Sequence, residues 1–380
     1  MSSKQCACGS LAYRRRNECL RCVRIRHKAN LVRKSTDRPL EPVAPVSVPP
    51  AEQVTLDREQ NKLRAELKVV KAKYQESLKT IEAQEASLSV VAELKEGLET
   101  HTIEPHHPSG TSEATVVVVA SDWHIEETVG AEVGGLNKFN LAIAHTRAER
   151  FFAKAHRLTT LLAQDVKIPT MILALLGDFI SGHIHDELVE NNSLSPMHAI
   201  VEAQNLLASG IQFLLDNSDR KIHIPCHSGN HSRTTLKTRF ATENGHSLEY
   251  LLYVTLADHF RHEPRVTFQI AEGMHSYVQV YNTMVRFQHG HACKYGGGVG
   301  GIYIPLNKAI SQWSRARHAD LDVMGHFHTQ VDGGHFLVNG SLIGYNSFAL
   351  SMRCGYEMPK QTLFLLDKNR GRTFNAPILL

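Results

Sequence analysis

No apolar run in these 380 residues approaches the roughly 18 needed to cross a bilayer as a helix, which excludes a membrane-spanning protein of that kind. The basic N-terminus has no apolar core behind it, so a secretory leader is not expected either. Cysteine is nearly missing beyond the start of the chain. Four of the seven fall within the first 22 residues, which argues against a disulfide framework spread along the molecule. These absences point to a cytoplasmic protein, in the host cytoplasm if the chain is viral, with no membrane partner. Acid is scarce locally: residues 1–38 hold eleven Lys/Arg against Glu18 and Asp37, a balance of +9 within a total of +4. A basic end on an otherwise mildly acidic chain suits a polyanion, with nucleic acid the expected partner, because phosphate neutralisation supplies most non-specific affinity.

What is present in excess is histidine, with 23 copies, several of them in loops that follow apolar runs. Such positions suit metal ligands or acid–base groups. The basic segment 1–38 also holds Cys6, Cys8, Cys19 and Cys22, spaced C-x-C-x10-C-x2-C. Four thiolates in two close pairs can close a tetrahedral structural Zn(II) site, and a segment this short needs such a staple to fold; the bland alternative is free thiols in a basic tail. Residues 39–54 form a Pro-rich linker, with five prolines by position 50. Over 55–98, Leu63, Leu67, Val70, Tyr74, Ile81, Leu88, Val91 and Leu98 fall on a heptad stripe broken by Ser77, Gln84 and Lys95. A long helix is expected there, either a coiled coil that makes a homodimer or a single helix laid on the catalytic domain. Residues 99–114 read as a second linker.

From 115 to 380 apolar strand runs alternate with longer helical stretches, the pattern of a layered α/β domain. Strands are expected at 115–120, 170–176, 221–226, 265–270, 276–288, 321–324, 335–338 and 362–366, with helices near 139–164, 195–216, 244–262 and 302–317. The first strand, an unbroken β-branched run from Val116, suits burial on both faces and leads into Asp122-Trp123-His124. Alternate residues at the end of a strand can turn toward one point, so Asp122 and His124 read as half of a metal site and Trp123 as packing. Later strand ends repeat the theme with Gly177-Asp178, Gly229-Asn230-His231, His289-Gly290-His291 and His326-Phe327-His328. Each motif alone is weak; five in this order, each after an apolar run, are not. Asp, Asn and His together suit divalent metals of intermediate hardness, and a carboxylate such as Asp178 can bridge two ions where neutral imidazole cannot.

This ordered set, spanning Asp122 to His328, resembles the calcineurin-like metallophosphoesterase superfamily, in particular its nuclease-like branch. The resemblance implies a two-layer β sandwich flanked by helices and carrying two divalent ions, Mn, Fe, Zn or Ni. It implies that Asp122, His124, Asp178 and His328 hold one ion, and that Asp178, Asn230, His289 and His326 hold the other. A metal-bridging hydroxide would attack phosphorus, with His231 stabilising or protonating the departing oxygen. Two departures stand out. The family follows its Gly-Asn-His with an acid, whereas Ser232-Arg233 stands here, and the segment after Gly177-Asp178 lacks the pattern of protein Ser/Thr phosphatases. Arg233, His291, Gly297 and Gly298 are candidate substrate contacts, the glycines through backbone N–H groups or as a mobile lid. Asp186, His183 and His185 are candidates to supply groups the departures remove.

The expected function is therefore a dinuclear-metal phosphoesterase that hydrolyses phosphodiester bonds in DNA or another nucleic acid. A phosphomonoesterase or protein phosphatase whose zinc arm recruits a protein partner is the alternative, and a non-catalytic nucleic-acid-binding protein a third.

Overall fold

The computed structural model describes residues 49–95, 102, 112–294, 300–351 and 354–380. The expected zinc segment with Cys6, Cys8, Cys19 and Cys22 lies outside these residues, as do Gly297 and Gly298. The chain divides between Glu104 and Pro105 into two units. In the first, the described residues form a helix, α1, that runs Pro50–Lys95. It begins inside the stretch expected to be an extended linker, because Pro50 tolerates the first helical turn, where its missing N–H is not needed. The Pro49 carbonyl accepts from the Glu52 and Gln53 amides at 2.9 and 3.0 Å. The apolar stripe from Leu63 through Val91 is exposed at every one of its positions.

The second unit is built on two sheets. Strand β1 (Glu113–Ala120) starts two residues before the expected boundary at 115, at the end of the expected linker. It is the third strand of a six-stranded sheet ordered β11-β10-β1-β2-β3-β4, with β2 (Lys167–Leu175), β3 (Lys221–Cys226), β4 (Val266–Ile270), β10 (Lys360–Asp367) and β11 (Gly371–Leu379). Strands β1 to β4 run parallel, and β10 pairs antiparallel with both β1 and β11. The other sheet is ordered β5-β6-β7-β9-β8, from β5 (Ser276–Val280), β6 (Thr283–Phe287), β7 (Leu321–Met324), β8 (Val331–Asp332) and β9 (Phe336–Val338). Val117, Val119, Ile172 and Leu176 of the first sheet side pack against Val285, Phe287 and Val323 of the second, which makes the expected sandwich.

Helices cover the outer faces. Helices α2 (Leu141–Leu162), α4 (Pro196–Asp216) and α5 (Leu248–His259) bury their apolar sides with β1, β2 and β3 in the largest core, where Trp123 meets Phe151, Phe152 and Phe179 edge to face. Each starts on a capping side chain, Asn140, Ser195 and Ser247, that accepts from a backbone amide three residues on. Between them lies the short α3 (Asp186–Asn191), and α6 (Tyr303–Ala316) packs Leu306 and Ile310 against Met324, Phe336 and Val338. A last turn, α7, spans Ser347–Ser351. No described helix is long and apolar enough to cross a membrane.

Two expectations are corrected. The run 276–288 is not one strand but the hairpin β5–β6, in which Val280 faces Thr283 across a turn and Tyr281 adopts φ 51°. The turn has no glycine to announce it, and the Gln279 side chain supports it by donating to the Tyr281 carbonyl at 2.9 Å. Strand β11 was not expected because Pro377 and several polar residues break its pattern; as an edge strand it tolerates both.

Candidate metal centre

The parallel strands of both sheets end on the same side of the sandwich, and the five motifs follow those ends. Asp122 and His124 come after β1, Asp178 after β2, Asn230 and His231 after β3, His289 after β6, and His326 and His328 after β7. The loops are stitched together by backbone bonds: the Trp123 and His124 amides donate to the Asp178 carbonyl at 2.8 and 3.2 Å, and Gly325 donates to the His289 carbonyl at 2.8 Å. Close approach explains the glycines. A Cβ on Gly177 would strike the Gly229 backbone, and one on Gly325 would strike Asp122 and Ser121.

Of the six non-glycine residues with positive φ among the described residues, five are Asp122 (57°), His124 (47°), Asp178 (54°), His326 (71°) and His328 (53°). Each left-handed residue costs roughly 1–3 kcal/mol unless its surroundings hold it, and such strain gathers at functional sites. Here it turns the donors inward. Ligand atoms of Asp122, His124 and His328 lie within 4.8 Å of one another, as do those of Asp178, His289 and His326, and those of His124, Asp178 and His231. Asp178 belongs to two of these groups and can reach both ends of the centre. The Asn230 side-chain oxygen is 3.2 Å from His289 Nε2, which brings it to the second group.

The ring orientations are fixed from behind. His289 donates from Nδ1 to the Leu176 carbonyl at 2.6 Å, leaving Nε2 2.9 Å from Asp178 Oδ2. His231 donates from Nδ1 to the Ser181 carbonyl at 2.9 Å, and its amide donates to Asp178 Oδ1 at 2.8 Å. Asp122 accepts from Ser121 Oγ at 2.5 Å and from the His326 amide at 3.0 Å. His124 and His328 present their Nε2 atoms to each other at 3.2 Å.

Burial and the neighbouring His231 pull the His124 imidazole well below its ordinary pKa, and burial with His289 does the same to His326. Burial also works against charge on Asp178, yet His289 and His231 outweigh it and hold that carboxyl well below its usual range. The same partnership, against the burial of the ring, lifts His289 to about 10, and Asp122 raises His328. Buried imidazole nitrogens aimed at one another and at two carboxylates form a donor set that divalent cations fit, since they would replace shared protons with positive charge.

The sequence did not reveal the acids behind these donors. Glu249 of α5 is fully buried and accepts from the Phe179 amide (2.6 Å), the Gly229 amide (2.7 Å) and Ser232 Oγ (3.0 Å), so it clamps the Asp178 and Asn230 loops together. It takes up the bracing left open by Ser232, and burial together with Asp178 raises its pKa to about 7. Glu127 accepts from Ser181 Oγ at 3.1 Å and from Asn346 at 2.9 Å, while Ser181 Oγ stands 3.0 Å from His124 Nδ1. Glu126 accepts from the Ser181 and Gly182 amides at 2.8 Å, and burial pushes it up to about 8.

The donors open onto a cavity of about 470 Å³ whose wall includes His124, Asp178, Asn230, His231, His326 and His328. His185 and Asp186 also line it, whereas His183 faces the adjoining cleft of about 400 Å³ with Arg233. Arg233 spends two donors on the chain itself, Nη1 on the Asn230 carbonyl (2.6 Å) and Nε on the Thr235 carbonyl (3.2 Å), so it braces the Asn230 loop. His291 joins none of the three donor groups; its Nε2 is 3.2 Å from Glu243 without hydrogen-bonding geometry, and among the described residues neither ring nitrogen has a bonded partner.

No protein-family model matches the chain, and no curated protein matches it. Among solved structures it is similar to Vacuolar Protein Sorting 29 from Cryptosporidium parvum, with 16% identity over 70% of this chain and 96% of that one and a TM-score of 0.28. It is also similar to a conserved uncharacterized protein, a predicted phosphoesterase, from Streptococcus pneumoniae TIGR4, with 12% identity over 70% and 98% and a TM-score of 0.26. For calcineurin-like phosphoesterase YfkN from Bacillus subtilis the figures are 10%, 70%, 91% and 0.25. At such TM-scores these likenesses say nothing of this chain's chemistry, which rests on its own residues.

Proposed function

We propose that the chain is a divalent-metal-dependent phosphoesterase that hydrolyses phosphodiester bonds in nucleic acid. The observation that carries this reading is the convergence of donors from five strand-end loops on one cavity, five of them held in left-handed backbone. Asp122, His124, Asp178 and His328 would hold one cation, and Asp178, Asn230, His289 and His326 the other. When bound, such a pair polarises a phosphoryl group and brings the pKa of water near neutrality. The chain's own part is to hold and to move protons. His231, fixed through Nδ1–H by the Ser181 carbonyl, keeps Nε2 for the leaving oxygen and, as an imidazolium carrying a second proton on Nε2, would give that proton up to it and return to the neutral ring. Ser181, Glu127 and Glu249 keep His124 and the two loops in place, as groups behind metal ligands do.

The substrate class follows from the +9 segment at residues 1–38, which suits a polyanion and also carries the proposed structural zinc. The exposed stripe of α1 is the surface on which we place a second copy of the chain. The test is hydrolysis of bis-aryl and mono-aryl phosphates and of DNA by chelator-stripped protein returned to Mn(II). Bis-aryl phosphate and DNA are expected to be cleaved, and Asp178→Asn to abolish both. Preference for the mono-aryl ester would move the reading to a phosphomonoesterase, and full activity in Asp178→Asn would sink it.

A further inference from the structure

The segment that leaves the Asn230-His231 motif, residues 233–246, does more than close a turn. Its base is pinned: the Thr234 amide donates to the His246 carbonyl at 2.8 Å, the Leu248 amide donates to the Ser232 carbonyl at 2.9 Å, and Ser232 and Ser247 share a hydroxyl bond of 2.8 Å. Its middle projects into solvent. Leu236 is 91% exposed and Phe240 52%, and Lys237 and Arg239 are exposed with no ion pair among the described residues. The Phe240 ring lies parallel to the His291 ring, 5.9 Å away at 11°, so one face is covered while half of its surface stays in water. His291 in turn lies 5.5 Å from the ring of His289. An exposed aromatic that follows two exposed cations in sequence thus stands two ring contacts from His289.

Charge at the cavity mouth is uneven. Asp186 and Glu187, which repel phosphate, line the cavity itself, whereas residues 233–236 border the adjoining cleft and Lys237 and Arg239 follow them, exposed; Glu243 of the same segment is turned to His291 at 3.2 Å. Positive side chains beside an exposed aromatic are the elements of single-strand recognition, in which a base stacks on the ring and its phosphates meet the cations. Bases inside a duplex have both faces taken by their neighbours and cannot use such a ring.

We propose that residues 233–240 form a single-strand platform, on which a nucleobase next to the scissile phosphate stacks against Phe240 while the flanking phosphates meet Lys237 and Arg239. This deepens the phosphodiesterase reading and rests on it. The test uses the full chain and a short oligothymidylate carrying 5-iodouracil. Photocrosslinking is expected at Phe240. With Mn(II), Phe240→Ala is expected to raise KM for the single strand about tenfold, Phe240→Trp to restore it, and KM for the duplex to stay as it was. A crosslink confined to other segments, or an unchanged single-strand KM in Phe240→Ala, overturns the platform. The crosslink needs no variant and so stands even if Phe240→Ala fails to fold. Crosslinking at Phe240 by a wild-type chain that cleaves no phosphoester would count against the proposed function while keeping the platform.

Discussion

His231 and His289 show how a single hydrogen bond decides what an imidazole can do. Each gives its Nδ1 proton to a backbone carbonyl, Ser181 or Leu176, which leaves Nε2 directed into the centre. For His231 this predicts a leaving-group effect. His231→Gln should lower kcat by roughly 10²- to 10⁴-fold for a nucleotide ester, whose alkoxide needs a proton, and far less for a nitrophenyl ester. Equal losses on both substrates would mean that His231 only braces its loop. For His289, held up to about 10 by Asp178 despite burial, the consequence concerns metal loading. Below that pH the metal-free ring carries a proton that a cation must displace, so affinity should rise with pH toward 10 and loading at pH 7 should release protons. Titration calorimetry in buffers of different ionisation enthalpy measures the number released; no buffer dependence would contradict the ligand role of His289.

At the scale of elements, strand ends deliver donors and one helix holds two of the loops in register. Glu249 reaches from α5 to the Phe179 and Gly229 amides at once. Removing it leaves buried donors without partners, each worth about 1–3 kcal/mol. Glu249→Ala is therefore expected to lower the urea midpoint and to weaken Mn(II) binding about 10- to 100-fold, although it touches no metal; unchanged affinity would show that the loops hold themselves. This contact also marks where sequence reading stops. The strand ends were legible because five apolar runs each finish on ligand-type residues, and β1 with its valines states its own burial. Glu249 was not, since an acid inside Leu248–His259 looks like an ordinary solvent-facing position until β3 and the Asp178 loop pack above it. The hairpin at Tyr281 was hidden for a different reason: a non-glycine residue takes the left-handed turn position, so the apolar run continues through it. His289 and His291 share a loop and a residue type; the resemblance favours His289, and the fold sets it beside Asp178 and His291 beside Glu243.

For the whole molecule, the layered unit and the helical unit each pose a separate question. Helix α1, at 46 residues, exposes Leu63, Leu67, Val70 and Tyr74 along one stripe, and apolar side chains at heptad spacing are stabilised when a second helix covers them. Sedimentation of the full chain should show a dimer, and replacing these four residues with Glu or Lys should give a monomer. A wild-type monomer at micromolar concentration would remove the paired-helix proposal and leave the proposed phosphoesterase untouched.

The proposed pair of metal sites is tested most directly by electron paramagnetic resonance of the Mn(II)-loaded chain. Mn(II) ions held by the two donor sets that would meet at Asp178 are predicted to give an exchange-coupled multiline signal, which Asp178→Asn should convert to that of isolated Mn(II). A wild-type spectrum of isolated Mn(II) alone, at saturating metal, would contradict the paired site.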